Sequence, residues 1–208
     1  MKFLTLLALV IASSVSAKET VFQYDGFYSR LKKSEQATYS HVTLAFLLRQ
    51  QQSDRVCDIQ AAFITTDLLK EPLILANNGE LLLPYDQNLN DNKAKIRLEQ
   101  AADAKDCDLN FRLRNKLPLE KTLSLAELHQ MHGQFKALMA DMAGLAKYFL
   151  PEMPGVSLQF AADVHPTATA DYMTCHHNIC SLDLSKAPKE GQLEFSQAPD
   201  YVVPWIQR

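Results

Sequence analysis

Apolar and polar residues alternate, or β-branched and apolar residues cluster, in five short segments of the first half of the chain. The segments are residues 38–49, 56–65, 71–84, 94–99 and 109–114. Alternation gives a strand one buried face and one solvent-facing side, which is typical of antiparallel sheets. We therefore predict a strand or a strand pair in each segment.

Two further patterns complete this half of the chain. In residues 71–84, the turn sequence Asn77-Asn78-Gly79 separates two apolar runs and predicts a tight hairpin. Residues 22–33 predict a short strand followed by one or two helical turns. Together these patterns predict an antiparallel, β-sandwich-like domain of about six strands over residues 18–118.

The apolar period lengthens from two residues to about 3.6 residues after residue 124. One helical stripe then contains Leu125, Leu128, Met131, Phe135, Leu138, Met139, Met142, Leu145 and Phe149. Ser124 is a typical N-cap residue, and Glu127 three positions later completes a capping box. Pro151 is incompatible with a helix interior. We predict one long amphipathic helix over about 124–150, with its stripe packed on a sheet.

Strand patterns return after the helix. They cover residues 156–161, a hairpin over 172–184, residues 193–196 and residues 201–206. We expect residues 201–203 to pair at a sheet edge, because Pro204 lacks the backbone N–H that an inner strand needs. Residues 119–208 are thus predicted to combine the long helix with a small C-terminal β part, and the fold class is α+β.

The first seventeen residues have the three regions of a secretory signal peptide. Lys2 is positively charged, residues 3–12 are apolar, and Val15 and Ala17 occupy the −3 and −1 positions of a cleavage site. A membrane span needs about 20 apolar residues, so this run is too short for an anchor. We predict export, cleavage after Ala17, and no transmembrane segment in the mature chain.

Composition and charge exclude several classes of protein. The 208 residues include 21 Lys and Arg against 24 Asp and Glu, and 47% of the residues are hydrophobic. That share is enough for a packed core. The net charge of -3, without a basic block, is atypical of a nucleic-acid-binding protein, which needs clustered cations to meet phosphates.

Export affects how the four cysteines are interpreted. An even number in an oxidising compartment suggests two disulfides, for which three pairings are open. Cys57 and Cys107 each begin a similar strand-like segment, and Cys175 and Cys180 bracket a loop short enough for a hairpin. We therefore predict the bridges Cys57–Cys107 and Cys175–Cys180. A redox-active pair would need the Cys-x-x-Cys spacing, which the chain lacks.

Five histidines are candidate metal ligands. His176 and His177 lie at the predicted hairpin tip, with His165 ten residues earlier, and neutral imidazoles there could bind copper or zinc. His129 and His132 are three residues apart on the predicted helix, so both rings could reach one metal ion. The alternative interpretation is a polar turn for the first group and a solvated or half-buried pair for the second. The sequence indicates no other cofactor.

Three phrases of the sequence resemble a known family. They are residues 24–32 (YDGFYSRLK), residues 79–86 (GELLLPYD) and residues 203–206 (VPWI). Together they resemble an uncharacterised family of exported gammaproteobacterial proteins of unknown function. The resemblance implies a periplasmic protein of the Gram-negative envelope and brings no catalytic residue with it.

Motifs with catalytic chemistry do not occur in the sequence. Gly-x-Gly-x-x-Gly, the P-loop, Gly-x-Ser-x-Gly and His-Glu-x-x-His are all missing. We therefore interpret the protein as a non-catalytic binding or interaction module of the envelope, whose partner is an envelope protein or a small ligand. Two alternatives stay open: a periplasmic hydrolase with a site assembled from distant residues, and a copper- or zinc-handling protein that uses His176, His177 and His165.

Overall fold

The computed structural model describes residues 17–53, 55–163 and 170–207, and its helices and antiparallel sheets confirm the α+β class. The first half contains β1 (Lys18–Gln23), α1 (Tyr24–Ser34), β2 (Val42–Gln50), β3 (Ala61–Thr65), β4 (Lys70–Pro72), β5 (Ile74–Leu75), β6 (Leu81–Leu82), α2 (Gln87–Asp91), β7 (Lys95–Gln100) and β8 (Cys107–Asn115). The second half contains β9 (Thr122–Ser124), α3 (Leu125–Ala143), a 3-10 helix (Gly144–Phe149), β10 (Gly155–Gln159), β11 (Met173–His176), β12 (Ile179–Asp183), β13 (Gln192–Glu194) and β14 (Tyr201–Trp205).

The strands form two four-stranded sheets and three ribbons. The sheet orders are β1-β7-β3-β4 and β11-β12-β10-β14, and the ribbons are β2–β8, β5–β6 and β9–β13. The β2–β8 ribbon is paired from Val42 with Asn115 to Gln50 with Cys107. It lies between the β5–β6 hairpin and β14. A β-bridge joins Leu47 of β2 to Glu80 beside β6, and β8 contacts β14. This central position lets the ribbon contribute to both halves of the molecule.

Several boundaries differ from the sequence-based prediction. Helix α1 has eleven residues rather than one or two turns, because Tyr24, Phe27, Tyr28 and Leu31 bury one helical face. Strand β2 starts at Val42 rather than residue 38, since a turn follows α1. Strand β3 starts at Ala61 rather than residue 56. The residues before it are held against β2, where the Cys57 N–H donates to Leu48 O over 3.3 Å.

Two clusters of buried side chains form the core. The first surrounds α1 and the β1-β7-β3 sheet, and the second surrounds α3 and the C-terminal sheet. Strand β2 belongs to both, because Val42 is part of the second cluster and Leu44, Phe46 and Leu48 are part of the first. A division into domains at residue 118 stays a prediction.

The predicted long helix is confirmed, because α3 and the 3-10 helix together cover Leu125–Phe149, but its first and last turns differ in detail from the prediction. Ser124 precedes the first helical residue, but its side chain makes no capping hydrogen bond, so the capping box is wrong. The Leu125 N–H instead donates to Gly191 O over 3.0 Å. The α-helix ends at Ala143, and Gly144, whose φ is 57°, begins the 3-10 helix. With three residues per turn, that helix no longer follows the 3.6-residue stripe. Leu145 and Phe149 are consequently exposed rather than packed.

Strand β14 ends the C-terminal sheet. It pairs with β10 from Tyr201 opposite Gln159 to Trp205 opposite Gly155, which places it at the edge expected for residues 201–203. Its Val202 N–H donates to the Asn115 Oδ1 atom over 2.8 Å. Among the described residues, no helix has both the length and the apolar character that crossing a membrane requires.

Candidate functional site

The four cysteines are joined in the pairs that the sequence predicts. Cys57 is bonded to Cys107, which links the loop before β3 to the start of β8. Cys175 is bonded to Cys180, its direct partner across the β11–β12 hairpin. Neither pair leaves a free thiol, so these residues stabilise the fold and supply no nucleophile.

The helical histidines make separate hydrogen bonds to main-chain carbonyls. His132 Nε2 lies 2.8 Å from Met153 O, and His129 Nε2 lies 3.0 Å from Pro188 O. A carbonyl oxygen can only accept a hydrogen bond, so each Nε2 atom is a donor there and not a metal ligand. Burial lowers the pKa of His132, against the opposing effect of its bond to Met153.

The hairpin histidines lie at an exposed turn. His176 ends β11 and His177 follows with a φ of 53°, and both side chains are exposed. His177 Nδ1 is 3.8 Å from Asp163 Oδ2. The third candidate of this group, His165, lies outside the described residues. Within the described part of the chain, no three His, Cys, Asp or Glu side chains are grouped as metal ligands would be. Metal binding at His176 and His177 stays a prediction.

An apolar groove of about 350 Å³ lies where the central ribbon, α3 and the C-terminal strand meet. The ribbon contributes Leu44, Phe111, Arg112 and Leu113; α3 contributes Met139 and Met142; the C-terminal strand and the residue after it contribute Val203, Pro204 and Ile206. The volume lies within the range of small-molecule sites, about 300–1,000 Å³. We call this feature the apolar groove.

Strand register explains the ribbon wall of the apolar groove. Leu44 is paired with Leu113 and Phe46 with Phe111, so alternate apolar residues of both strands share one face. The Phe46 and Phe111 rings pack edge to face at 5.7 Å. The Arg30 guanidinium lies 4.9 Å from the Phe111 ring centroid. These contacts fix the position of a ring that is still 49% exposed.

Arg112 supplies the one charged side chain of the groove lining. Its Nη1 atom donates to Gln159 Oε1 over 3.2 Å. Methionine side chains form the opposite wall, and their flexible thioethers can adjust to irregular apolar ligands. The groove therefore combines apolar contact area with a positive charge.

A buried ion pair braces the same ribbon. Arg114 Nε lies 3.1 Å from both carboxylate oxygens of Glu80, and Glu80 is 5% exposed. The Arg114 guanidinium also lies 5.8 Å from the Tyr201 ring centroid, and Asn78 Nδ2 donates to the Tyr201 hydroxyl over 2.6 Å. Burial, and next the nearby Glu80 charge, raise the pKa of Tyr201. These contacts hold β8, β14 and the β5–β6 hairpin together.

Sequence reasoning missed the apolar groove. Its walls come from three segments that are far apart in the chain. The helical stripe of the sequence also predicts that Met139 and Met142 pack in the core. The apolar stripe continues past Gly144, but this signal indicates the exposed side chains of the 3-10 helix and not the groove walls.

A family model described as a protein of unknown function, DUF2987, matches residues 16–160 of the 208-residue chain. The chain belongs to the DUF2987 family. No curated protein and no solved structure matches it.

The DUF2987 match covers two of the three groove walls. The ribbon β2–β8 and helix α3 lie inside the matched residues, whereas Val203, Pro204 and Ile206 lie beyond residue 160. The match thus includes the aromatic and methionine sides of the apolar groove, together with the 3-10 helix that follows them.

Proposed function

We propose that this DUF2987 protein is an exported, non-catalytic module of the cell envelope that binds the alkyl chain of an anionic amphiphile in its apolar groove. The single observation that carries the proposal is the groove itself. Its volume is about 350 Å³, and eight of its nine lining residues are apolar.

The lining favours an alkyl chain over a peptide. A peptide brings backbone N–H and C=O groups that need hydrogen-bond partners when they are buried. The aliphatic, aromatic and thioether side chains of the apolar groove offer none, and an alkyl chain needs none. Arg112 beside the groove favours a carboxylate or phosphate head group.

Export is supported by two observations. Disulfides such as Cys57–Cys107 form and persist in oxidising compartments, and residues 1–17 have the pattern of a signal peptide. Edman sequencing of the protein recovered from the envelope fraction of a Gram-negative host is expected to begin at Lys18. Recovery from the cytoplasm with Met1 intact would contradict export.

Binding is tested with 11-(dansylamino)undecanoic acid, whose fluorescence rises and shifts to the blue in apolar surroundings. We expect saturable binding at one site. Met139 and Met142 are changed together to Gln, which keeps the side-chain length but makes the wall polar. Burial of a Met side chain is worth about 1.5–3 kcal/mol, so even partial loss of that contact corresponds to about a tenfold weaker affinity.

The matched control is Met173→Gln. Met173 is half-buried like the two groove methionines but lies on β11, away from the groove. Circular dichroism and denaturant unfolding check that all variants are folded. Absence of saturable binding in the wild type, or an equal loss of affinity in the control, would contradict the proposal.

A further inference from the structure

The 3-10 helix Gly144–Phe149 presents three large apolar side chains to solvent. Leu145 is 90%, Tyr148 78% and Phe149 88% exposed. With roughly 150–250 Å² for each aromatic side chain, the three expose on the order of 500 Å². That is the size at which an apolar patch marks an interaction surface.

The segments on either side of this 3-10 helix lie next to walls of the apolar groove. The 3-10 helix begins two residues after Met142, which lines the groove. On its other side, Glu152 O accepts a hydrogen bond from the Gln207 N–H over 3.2 Å, next to the groove residue Ile206. The three apolar side chains are therefore held at a defined position beside the groove.

We propose that Leu145, Tyr148 and Phe149 insert into the surface of a bilayer that contains anionic lipids. A side chain that is nine-tenths exposed touches almost nothing of its own protein. A fluid lipid phase accommodates such projecting side chains without matching their shape, whereas a protein interface has to supply complementary pockets. Aromatic and aliphatic residues next to a lysine are typical of interfacial anchors.

Positively charged side chains near the 3-10 helix would be attracted to anionic lipid head groups. Lys147 lies within it, with its Nζ atom 5.2 Å from the Tyr148 ring centroid. Lys136 is exposed two turns earlier on α3, and Lys33 Nζ donates to Asp141 O over 2.8 Å. The Asp141 carboxylate accepts a hydrogen bond from the Tyr39 hydroxyl, so it is engaged within the protein. Glu152, beyond the 3-10 helix, is the opposing charge.

Insertion also gives the apolar groove a source of ligand. A bilayer that contacts the 3-10 helix would lie beside the groove, so a lipid acyl chain could enter without crossing water. This step rests on the proposed function, whereas insertion itself does not.

The test is co-sedimentation of the mature chain with vesicles of phosphatidylglycerol and phosphatidylethanolamine at near-physiological salt. Changing Leu145 and Phe149 together to Ser is expected to lower the partition coefficient about tenfold or more, because both apolar contacts with the bilayer are lost. The matched control is Leu68→Ser, since Leu68 is 98% exposed but lies between β3 and β4. This control should bind vesicles within about twofold of the wild type.

A second variant reports the position of the 3-10 helix. Tyr148→Trp, combined with Trp205→Phe, places a single indole at the proposed contact. Its emission should shift to the blue with vesicles and be quenched by brominated lipids. Because Leu145, Tyr148 and Phe149 contact little of the protein, substitutions at these three positions should keep the wild-type circular dichroism spectrum and unfolding midpoint. The Tyr148→Trp/Trp205→Phe variant is therefore compared with Trp205→Phe alone.

Three outcomes would overturn the inference. They are no binding of the wild type to vesicles, equal losses in the Leu68→Ser control, and a wild-type dimer that the Leu145→Ser/Phe149→Ser variant converts to a monomer. The last would show that the patch contacts a second copy of the chain. If the protein does not bind vesicles but still binds the dansyl fatty acid, the inference of bilayer insertion is wrong and the proposed function is kept. If it binds vesicles but not the fatty acid, the proposed function is wrong and the inference is kept.

Discussion

Replacing Arg114 by Met is expected to destabilise the protein strongly, because it removes the partner of a buried carboxylate. Glu80 is 5% exposed, and the Arg114 guanidinium contacts both of its oxygens. Removing one member of a buried pair leaves an uncompensated charge, which costs about 3–5 kcal/mol. The lost contact with the Tyr201 ring contributes up to about 1 kcal/mol of that sum.

The assay is unfolding in guanidinium chloride and by heat under non-reducing conditions. A chain of this size loses about 2–4 °C in Tm per kcal/mol, so the Tm of the Arg114→Met variant should fall by roughly 6–20 °C. The double variant Glu80→Leu/Arg114→Met should recover much of this loss, since no charge is then left buried.

The matched control for this prediction is Lys116→Met. Lys116 pairs with Glu35, but both side chains are about one-third exposed, so this pair is expected to contribute about 0–1 kcal/mol. If Arg114→Met costs no more than Lys116→Met, the ion pair does not hold β8 against the β5–β6 hairpin, and the reasoning is refuted.

Three further predictions concern pH, disulfides and metal. Burial lowers the pKa of His132 in the folded protein, so the unfolded chain binds more protons just below pH 6.5. The free energy of unfolding should therefore fall as the pH is lowered through that region, and His132→Gln should flatten this dependence; an unchanged slope would contradict the assignment. Changing Cys57 and Cys107 to Ser should lower the free energy of unfolding by about 4 kcal/mol, against about 2 kcal/mol for the hairpin disulfide, because the closed loop is longer; equal losses would exclude this chain-entropy argument. Calorimetric titration with zinc and copper should reveal no site that depends on His176 and His177; micromolar binding lost in the double Ala variant would establish the metal-handling alternative.

Local patterns were enough to predict most elements. The alternation in residues 94–99 became β7, and Asn77-Asn78-Gly79 became the turn of the β5–β6 hairpin, since both features depend on neighbours in sequence. The prediction for α3 depended on the same kind of information. The helical span agrees with it, but the stripe does not show that Gly144 adopts a positive φ and that a 3-10 helix replaces the α-helix over the last six residues.

The candidate site could not be predicted in the same way. Leu113, Met142 and Val203 come together because β8 lies between β2 and β14, and no spacing in the sequence records that arrangement. Of the histidines that the sequence singled out by residue type, His129 and His132 bond main-chain carbonyls, and His176 and His177 lie on an exposed turn. Residue type indicates chemistry, whereas the walls of a groove depend on long-range packing.

The position of β14 in the sequence makes its wall of the apolar groove the last of the three walls to be synthesised. A chain made from its N-terminus can pair β2 with β8 and form α3 while residues 201–206 are still unmade. When β14 docks, the Val202 N–H donates a hydrogen bond to Asn115 Oδ1. Before that step, the methionine and aromatic walls of the groove are exposed to solvent on the side that β14 later covers. The third wall of the apolar groove is therefore added only when β14 docks. A product truncated before Tyr201 would lack this wall together with the buried Val202 side chain.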